Sequence, residues 1–443
     1  VPISPDVNEG TVELRVAGNS AIIFSNRSIG IDSIGIVSRI FDLATGKALR
    51  EQLLDSALGD ERGRAKRRNY DIRTDYPPYI PSFEDSATVF FGYHVMHSRE
   101  APFTLLYSNS EPEIHTDHNI HILTNLLILD SSQTIISRRR FDRTLRGLRD
   151  SIPSSFRIND RGDIIETRVD DGDSLTVLQY RLGVDAPIAI GTRLNIDWAD
   201  RRNRRPAQNL VVNVHRNNLI TVAVPAGDAD QLNRVVVAMY DFGDRTIGTF
   251  SIPLKPEQIK ALTGNENTKS YQLKGIESLG ERSLLLLLEQ EWEFAESVVS
   301  KGGYVSTTYW VGSGPLMVMR YSREGDSEWV SGIRKTALVE ECYSNKMLSY
   351  SGKNDTKEIF LTFQDSDDGG VILETLDIHT GQPIGRRLIL LSHSAATITP
   401  GLTPWLTDST WISMHRDTFD YETVQLGSYG LDPLPPPAVT LPH

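Results

Sequence analysis

The amino-acid sequence predicts an all-β protein that folds as a single β-propeller, with seven four-stranded blades as the favoured arrangement. Helical periodicity is confined to Lys255–Leu262, which begins after Pro253 and stops at Gly264. Elsewhere, runs rich in Val, Ile, Leu, Tyr and Thr are interrupted about every 8 to 12 residues by Gly, Asn, Asp or Pro, as in antiparallel sheets. An Asp-x-x-Thr-Gly hairpin occurs near both ends, at 40–50 and 376–390, which indicates an internal repeat. Six or eight blades and two stacked sandwiches remain open alternatives.

The first four groups each contain four runs of strand length joined by turn residues. The turns include 17–20, 130–133 and 241–244, where Gly, Asn, Asp and Ser favour tight reversal of the chain. A long loop, 56–85, separates the first two groups. The expected strands are 12–17, 21–26, 34–41 and 48–54; 88–95, 103–108, 121–130 and 134–141; 155–159, 163–169, 175–182 and 188–196; and 209–215, 219–224, 233–240 and 246–252.

The last three groups follow the same plan with two departures. In the fifth group a long connection, Glu291–Pro315, joins the second and third strands. The seventh group has only three runs, so we expect Val1–Val7 to supply its outer strand, although Pro2 and Pro5 suit a strand poorly. The expected strands are 271–276, 283–290, 316–321 and 327–333; 346–351, 358–364, 371–376 and 386–391; and 401–406, 410–416 and 421–427. The expected blades are 11–55, 86–147, 153–200, 207–258, 270–335, 342–392 and 397–430, followed by a Pro-rich tail, 431–443.

Charge and cysteine content narrow the class of protein. A net charge of -12 argues against a protein that coats nucleic acid through its overall field. No apolar run approaches the roughly 18 to 20 residues that span a bilayer, so we expect no membrane insertion. Cys342 is the only cysteine, which excludes an intrachain disulfide and fits either a reducing compartment or a large exported bacterial protein. The chain begins at Val1, so either a signal peptide has been cleaved or the chain was shortened for expression.

One stretch resembles a known group of proteins. The segments Gly302-Gly303-Tyr304, Tyr309-Trp310, 316–319 and 325–329 are similar to the blade pattern of uncharacterised, exported β-propeller proteins of the Bacteroidetes. The run 358–365 resembles the second strand of their next blade. The resemblance implies a propeller fold and an exported bacterial protein, and it transfers no catalytic residue.

Few residues suggest metal chemistry. His115, His118 and His121 form the densest cluster of imidazoles, which could converge on a metal or simply line a polar loop. The acidic turns 170–173 and 365–370 resemble half of a calcium loop, but Asp and Gly are favoured in turns for backbone reasons alone. Neither turn has the later glutamate of an EF-hand. Arg161-Gly162-Asp163 spells an adhesive tripeptide, although here it occupies a predicted hairpin turn.

Arginine is concentrated in three segments of an otherwise acidic chain. If the blade assignment is right, most of these residues follow a fourth strand and precede the next first strand, and such connections share one face of a propeller. Arginine binds carboxylates and phosphates through a planar fork, which suits an acidic protein or an acidic glycan. The alternative is a plain solvated surface. The segments contain Arg62, Arg64, Lys66, Arg67 and Arg68; Arg138, Arg139, Arg140, Arg143, Arg146 and Arg149; and Arg201, Arg202, Arg204 and Arg205.

Two aromatic segments add candidate contact surfaces. The loop 56–85 carries Tyr76, Tyr79 and Phe83 among prolines, a composition that costs little entropy to order on binding. The fifth-group connection carries Trp292 and Trp310, which are suited to stacking on sugars or on a protein. The loop 56–85 could instead lie along the ring and cover an edge.

These observations favour a non-catalytic binding or scaffold protein in a larger bacterial assembly. We expect it to be secreted, periplasmic or at the cell surface, and to bind a protein partner, or an acidic glycan, without a cofactor. The first alternative is a propeller that binds or cleaves glycans, using a carboxylate pair that the sequence does not locate. The second is a metal-dependent enzyme, which rests only on the histidine cluster.

Overall fold

The computed structural model describes about two thirds of the chain. The described residues contain thirty β-strands and one helix. They are 2–3, 9–30, 33–58, 93–98, 101–109, 113–114, 119–146, 155–170, 174–193, 211–215, 219–228, 231–241, 246–264, 271–279, 283–299, 305–340, 348–352, 357–367, 370–391, 396–398, 410–417 and 424–430.

The described strands form seven antiparallel sheets, six of which are built from consecutive strands. The first sheet contains β2 (Glu9–Ala17), β3 (Ser20–Gly30), β4 (Ser33–Asp42) and β5 (Ala48–Leu58). The second contains β6 (Tyr93–His97), β7 (Thr104–Asn109), β8 (Glu113–Ile114), β9 (Asn119–Leu129) and β10 (Ile135–Arg146). The third contains β11 (Ser155–Ile158), β12 (Ile164–Asp170), β13 (Ser174–Tyr180) and β14 (Ile188–Arg193). The fourth contains β15 (Val211–His215), β16 (Leu219–Asp228), β17 (Gln231–Asp241) and β18 (Thr246–Pro253).

The remaining sheets follow a single short helix. This helix, α1 (Pro256–Thr263), has a proline in its first turn and ends at Gly264, which is left-handed with φ 73°, as the sequence predicts. The fifth sheet contains β19 (Tyr271–Leu279), β20 (Ser283–Val299), β21 (Val305–Ser322), β22 (Ser327–Ile333) and β23 (Ala337–Glu340). The sixth contains β24 (Leu348–Gly352), β25 (Glu358–Asp365), β26 (Gly370–Asp377) and β27 (Pro383–Leu391).

The seventh sheet joins the two ends of the described chain. It contains β28 (Ala396–Ile398), β29 (Thr410–Asp417), β30 (Val424–Gly430) and the N-terminal β1 (Pro2–Ile3). Pro2 pairs with Gln425 and Ile3 with Val424, so the N-terminus occupies the outer position of this sheet. The expected first strand, 401–406, lies outside the described residues, and β28 is the strand that pairs with the other side of β29.

Buried side chains that point alternately to the two faces of each strand divide the core between neighbouring sheets. Leu106 packs with Phe24 of the first sheet, whereas its neighbour Leu105 packs with Phe156 of the third. In 284–288 of β20 the even-numbered leucines face the fourth sheet and the odd-numbered ones face the sixth. Since successive residues of a strand point to opposite faces, each sheet is sandwiched between its neighbours. Each such leucine contributes roughly 2 kcal/mol through burial.

The first strands of consecutive sheets lie side by side toward the middle of the molecule. Close contacts link β2 with β6, β6 with β11, β11 with β15 and β15 with β19. Sheets that pack face to face in chain order, with their first strands adjacent, define a β-propeller. The predicted all-β propeller fold is therefore confirmed. The number of blades, seven, stays a prediction. The described residues form seven sheets.

Candidate functional site

The order of the strands gives the propeller two faces with different connections. In every four-stranded sheet the first-to-second and third-to-fourth turns lie at one end, which we call the turn face. The second-to-third turns and the connections between sheets lie at the other end, which we call the connector face. This follows because the strands of each sheet run antiparallel in chain order.

Most residues predicted to bind a partner lie outside the described residues. Arg143 and Arg146 belong to β10, and His121 belongs to β9, where the structure describes the backbone. The others lie outside the described residues: Arg62, Arg64, Arg67, Arg68, Tyr76, Tyr79, Phe83, His115, His118, Arg149, Arg201, Arg202, Arg204 and Arg205.

Two arginines of the second basic segment make contacts with neighbouring sheets. The Arg138 guanidinium lies 3.1 Å from the Asp55 carboxylate of the first sheet. Arg139 donates to the carbonyl oxygens of Arg181 (2.9 Å) and Val184 (2.6 Å) of the third sheet, and it lies 5.6 Å from the centre of the Tyr180 ring. The predicted fourth strand, 134–141, already contained these two residues; β10 continues to Arg146, so Arg143 and Arg146, which were expected to follow the strand, belong to it.

The turn face is built from repeated hydrogen-bonded hairpins. In the first sheet Thr45 donates its hydroxyl and its backbone N–H to the Asp42 carboxylate, each at 2.7 Å. Thr380 makes the same two bonds to Asp377, at 2.9 and 2.8 Å. These bonds hold the pKa of both aspartates below the ordinary value. The Asp-x-x-Thr-Gly motif is therefore a structural turn.

The adhesive tripeptide is also structural. Asp163 is buried, and its carboxylate accepts hydrogen bonds from the side chains of Asn159 (3.2 Å) and Gln179 (2.7 Å) and from the backbone N–H of Leu182 (3.1 Å). A carboxylate held in this way is not presented to a receptor.

The acidic turn in the sixth sheet is neutralised by arginine. Asp365 is buried, and the Arg386 guanidinium lies 2.6 Å from it and 2.9 Å from Glu374. The backbone N–H of Asp367 also donates to Asp365 at 3.1 Å. Within the part of the chain that the structure describes, no group of three or more His, Cys, Asp or Glu side chains is arranged to hold a metal ion. The other acidic turn is described only at Asp170.

The most distinctive feature of the connector face is a β-ribbon that extends from the fifth sheet. The first strand, β19, pairs with β20 only as far as Gln290, whereas β20 and β21 stay paired to Val299 and Val305. We call the paired segments 291–299 and 305–313 the ribbon. The sequence indicated 291–315 as a long connection between strands 283–290 and 316–321; in the structure both strands continue into that segment and pair there.

A tryptophan and two glycines shape the base of the ribbon. Trp292 pairs with Gly312, and a Cβ atom added to Gly312 would lie 2.1 Å from the indole Cε2 atom. A Cβ atom on Gly314 would lie 3.0 Å from Cζ3 of the same ring. The indole therefore covers both glycines, and 37% of the residue stays exposed. The alternation Glu-Trp-Glu-Phe from 291 to 294 was the sequence signal of a strand.

A charged network of two glutamates and two lysines anchors the ribbon. Glu289 and Lys335 are fully buried and form an ion pair, and both contact the hydroxyl of Ser313. Lys274 contacts Glu291 and lies 3.8 Å from Glu289. These residues come from four separate parts of the fifth sheet, so they tie the ribbon to the sheet and to the connection that leaves it.

The two glutamates have pKa values displaced in opposite directions. Burial by itself raises the pKa of Glu289, but the ammonium groups of Lys335 and Lys274 outweigh burial and hold it below the ordinary value. Burial raises the pKa of Glu291, and Lys274 offsets this only in part. Because Glu289 is enclosed by lysines and serine, the network is suited to holding structure and not to general-base chemistry.

Comparison with known proteins adds little beyond the fold. No protein-family profile and no curated protein matches the chain. Among solved structures, the β-propeller domain of the Trilobed protease from Pyrococcus furiosus matches with a TM-score of 0.44 and 10% identity, over 95% of each chain. The WD40 domain of SCAP from fission yeast matches with a TM-score of 0.32 and 9% identity, over 95% of this chain and 84% of that one.

A glycoside hydrolase shows a weaker likeness. The GH43_1 enzyme from Xanthomonas citri complexed with xylose matches with a TM-score of 0.26 and 11% identity, over 69% of this chain and 93% of that one. At such scores the likenesses carry no argument about activity. The class that the described strands define is the β-propeller. Among the described residues, no helix has both the length and the apolar character needed to cross a bilayer.

Proposed function

We propose that the protein is a non-catalytic β-propeller that binds a protein partner through its connector face, as part of a secreted or envelope-associated bacterial assembly. One observation carries the proposal. The first and third arginine-rich segments follow β5 and β14, and the second runs along β10 and past its end to Arg149, so each leads from the fourth strand of one sheet toward the first strand of the next. Connections of this kind belong to the connector face in three consecutive interfaces of the propeller.

The chemistry of these segments supports an acidic partner. The chain as a whole is acidic, with a net charge of -12, so a local band of guanidinium groups would stand out against it. Such a band attracts a negatively charged surface during encounter and binds carboxylates through paired hydrogen bonds. Arg138 and Arg139 are excluded from the band because they contact Asp55 and the third sheet. The proposal rests on the arginines beyond them.

Three of the buried acids that the structure describes are held by structural partners, which supports binding over hydrolysis. Glu289 is paired with Lys335, Asp365 with Arg386, and Asp163 with neutral donors. A hydrolase needs a carboxyl group that can reach substrate and exchange a proton. The second candidate function, a glycan-binding propeller, is favoured by one observation only, the exposed indole of Trp292 on the ribbon.

The experiment is quantitative affinity purification of the tagged protein from its native host. The test variant replaces Arg201, Arg202, Arg204 and Arg205 with serine. The control variant removes the same number of charges from exposed positions of the turn face: Lys47, Arg161, Arg181 and Lys357, each replaced by serine. Both variants are checked for an unchanged melting temperature before use.

We expect one partner to be enriched with the wild type and with the control variant, and to fall by about tenfold or more with the test variant. Equal recovery with all three proteins would overturn the arginine band. Binding of the purified wild type to an acidic glycan, with no protein partner, would favour the second candidate function. An array of acidic and neutral glycans supplies that measurement.

A further inference from the structure

The first two sheets meet at the turn face through a chain of hydrogen bonds centred on Thr104. Arg15, near the end of β2, donates to the Thr104 hydroxyl at 3.0 Å. This hydroxyl lies 3.1 Å from Nδ1 of His97, the last residue of β6, and the Arg15 guanidinium lies 3.4 Å from the same nitrogen. Thr104 is fully buried. We call Arg15, His97 and Thr104 the joint.

The chemistry of the donors determines where the His97 ring carries its proton. A guanidinium has no acceptor, so the Thr104 oxygen accepts from Arg15 and its own O–H can donate to Nδ1 of His97. Nδ1 is therefore an acceptor, and the neutral ring carries its proton on Nε2. The Nε2 atom is buried, and the part of the chain that the structure describes gives it no hydrogen-bond partner. The Phe24 ring lies beside the imidazole, with the ring centres 5.7 Å apart.

The surroundings of His97 oppose a second proton on its ring. Burial, and after it the positive charge of Arg15, lower the pKa of His97 from 6.5 to about 3. Glu13 lies on the same face of β2 as Arg15, two positions earlier. Asp55, at the same interface between sheets, already accepts a hydrogen bond from the Tyr93 hydroxyl at 2.8 Å. The described residues of β3 and β7 that face this interface are uncharged.

The joint also fixes the turn that follows His97. The Arg15 guanidinium donates to the carbonyl oxygen of Ala101 at 3.1 Å. The N–H of Ala101 donates in turn to the Asp160 carboxylate of the third sheet, at 2.9 Å. The charged residues of the turn itself, Arg99 and Glu100, lie outside the described residues. A change at His97 therefore reaches three consecutive sheets.

We propose that the joint is an acid-sensitive contact: when His97 takes up a second proton, the turn from 98 to 103 is released from β2, and the first two sheets separate locally at the turn face. A proton on Nδ1 converts this acceptor into a donor, so it can no longer accept from Thr104. It also places two cations side by side. The proposal does not rest on the proposed function, because the joint lies at the face opposite the connector face.

The direction and the pH range follow from the two protonation states. The pKa of His97 is about 3 in the closed joint, and in an open joint exposed to water it returns to about 6.5. The closed joint therefore has its full stability above about pH 6.5 and loses it as the pH falls from there toward 3. Opening should increase about thirtyfold between pH 7.5 and pH 5. Carboxylates with ordinary pKa values of about 3.9 to 4.3 stay ionised in this range.

The experiment is amide hydrogen exchange of the full chain at pH 7.5 and pH 5, corrected for the intrinsic effect of pH on exchange. Peptides covering 98–109 report on the joint, because the N–H groups of Ser98 and Ala101 are hydrogen-bonded there. The test variant, His97→Asn, keeps an acceptor near the position of Nδ1 but cannot be protonated. The control, His379→Asn, makes the same change at an exposed histidine of the sixth-sheet hairpin. His94, the other histidine of β6, is present in all three proteins, so its effect cancels in their comparison.

We expect exchange in this segment to become about thirtyfold faster from pH 7.5 to pH 5 in the wild type and the control, and less than about threefold faster in His97→Asn. Nitrogen NMR of the wild-type imidazole at neutral pH, which needs no variant, should show the ring protonated on Nε2. An equal pH response in the wild type and His97→Asn would overturn the proposal. So would a neutral ring protonated on Nδ1, or a His97 that titrates near its ordinary pKa while the turn stays protected.

Discussion

The buried ion pair between Glu289 and Lys335 gives the sharpest prediction about the base of the ribbon. The side chains are 1% and 0% exposed, and they contact each other and the hydroxyl of Ser313. Lys335→Met replaces the ammonium group with an apolar side chain of similar length. The Glu289 carboxylate then stays buried, with Lys274 at 3.8 Å as its remaining countercharge.

Removing one partner of a buried ion pair costs about 3 to 5 kcal/mol. At 1.4 kcal/mol per factor of ten, this corresponds to roughly a hundredfold to several-thousandfold increase in local opening. Amide hydrogen exchange of peptides covering 289–299 and 305–313 measures that increase directly. The double variant Lys335→Met, Glu289→Gln should exchange at least about tenfold more slowly than Lys335→Met alone, because no buried charge is left without a partner. Lys47→Met, at an exposed lysine of the first sheet, is the control.

The pH dependence follows from the direction of the pKa shift. In the wild type the pKa of Glu289 is lowered, so the stability it supplies is present above the ordinary glutamate value of about 4.3 and is lost as the pH falls through the lowered value. In Lys335→Met burial is no longer offset by that lysine, so the pKa should rise and the carboxyl group should become neutral on acidification. The exchange ratio between variant and wild type, taken at equal pH, should be largest near neutral pH, begin to shrink as the pH falls through the raised pKa of the variant, above the ordinary value of about 4.3, and continue to shrink down to the lowered wild-type pKa. A ratio under about fivefold at neutral pH, or one that does not change with pH, would refute the reasoning.

Three other positions give independent tests. Gly312→Ala should force the Trp292 indole off the ribbon at a cost of about 1 to 3 kcal/mol, which amide hydrogen exchange of the ribbon and tryptophan fluorescence would detect. Adding Trp292→Ala should restore the slow exchange. If it does not, the clash lies elsewhere. Thr45→Val should raise the pKa of Asp42 toward its ordinary value, because a hydroxyl donor to the carboxylate is lost. An NMR titration of the side-chain carboxyl carbons measures this pKa, and the pKa of Asp377 in the sixth-sheet hairpin should stay unchanged. Removing residues 1–7 should speed exchange in β30 and leave β20 protected; uniform loss of protection would contradict a local closing strand.

The strands and turns of the propeller were largely predictable because their signals are local. The five leucines from 284 to 288 indicate a strand buried on both faces, and the structure divides them between two neighbouring sheets. The Asp-x-x-Thr-Gly turns were predictable because Asp42 and Thr45 make their hydrogen bonds within four residues. The alternation of residues along a strand does not tell which neighbouring sheet each face of that strand contacts.

The ribbon and its anchor were not predictable by the same means. Gly312 and Gly314 fall in the segment 291–315 that the sequence indicated as a long connection, yet they are the residues that admit the Trp292 ring. Glu289 and Lys335 are separated by 46 positions, so no local pattern joins them. The arginine segments were grouped by composition, and composition did not separate Arg139, which contacts the third sheet, from the arginines beyond it.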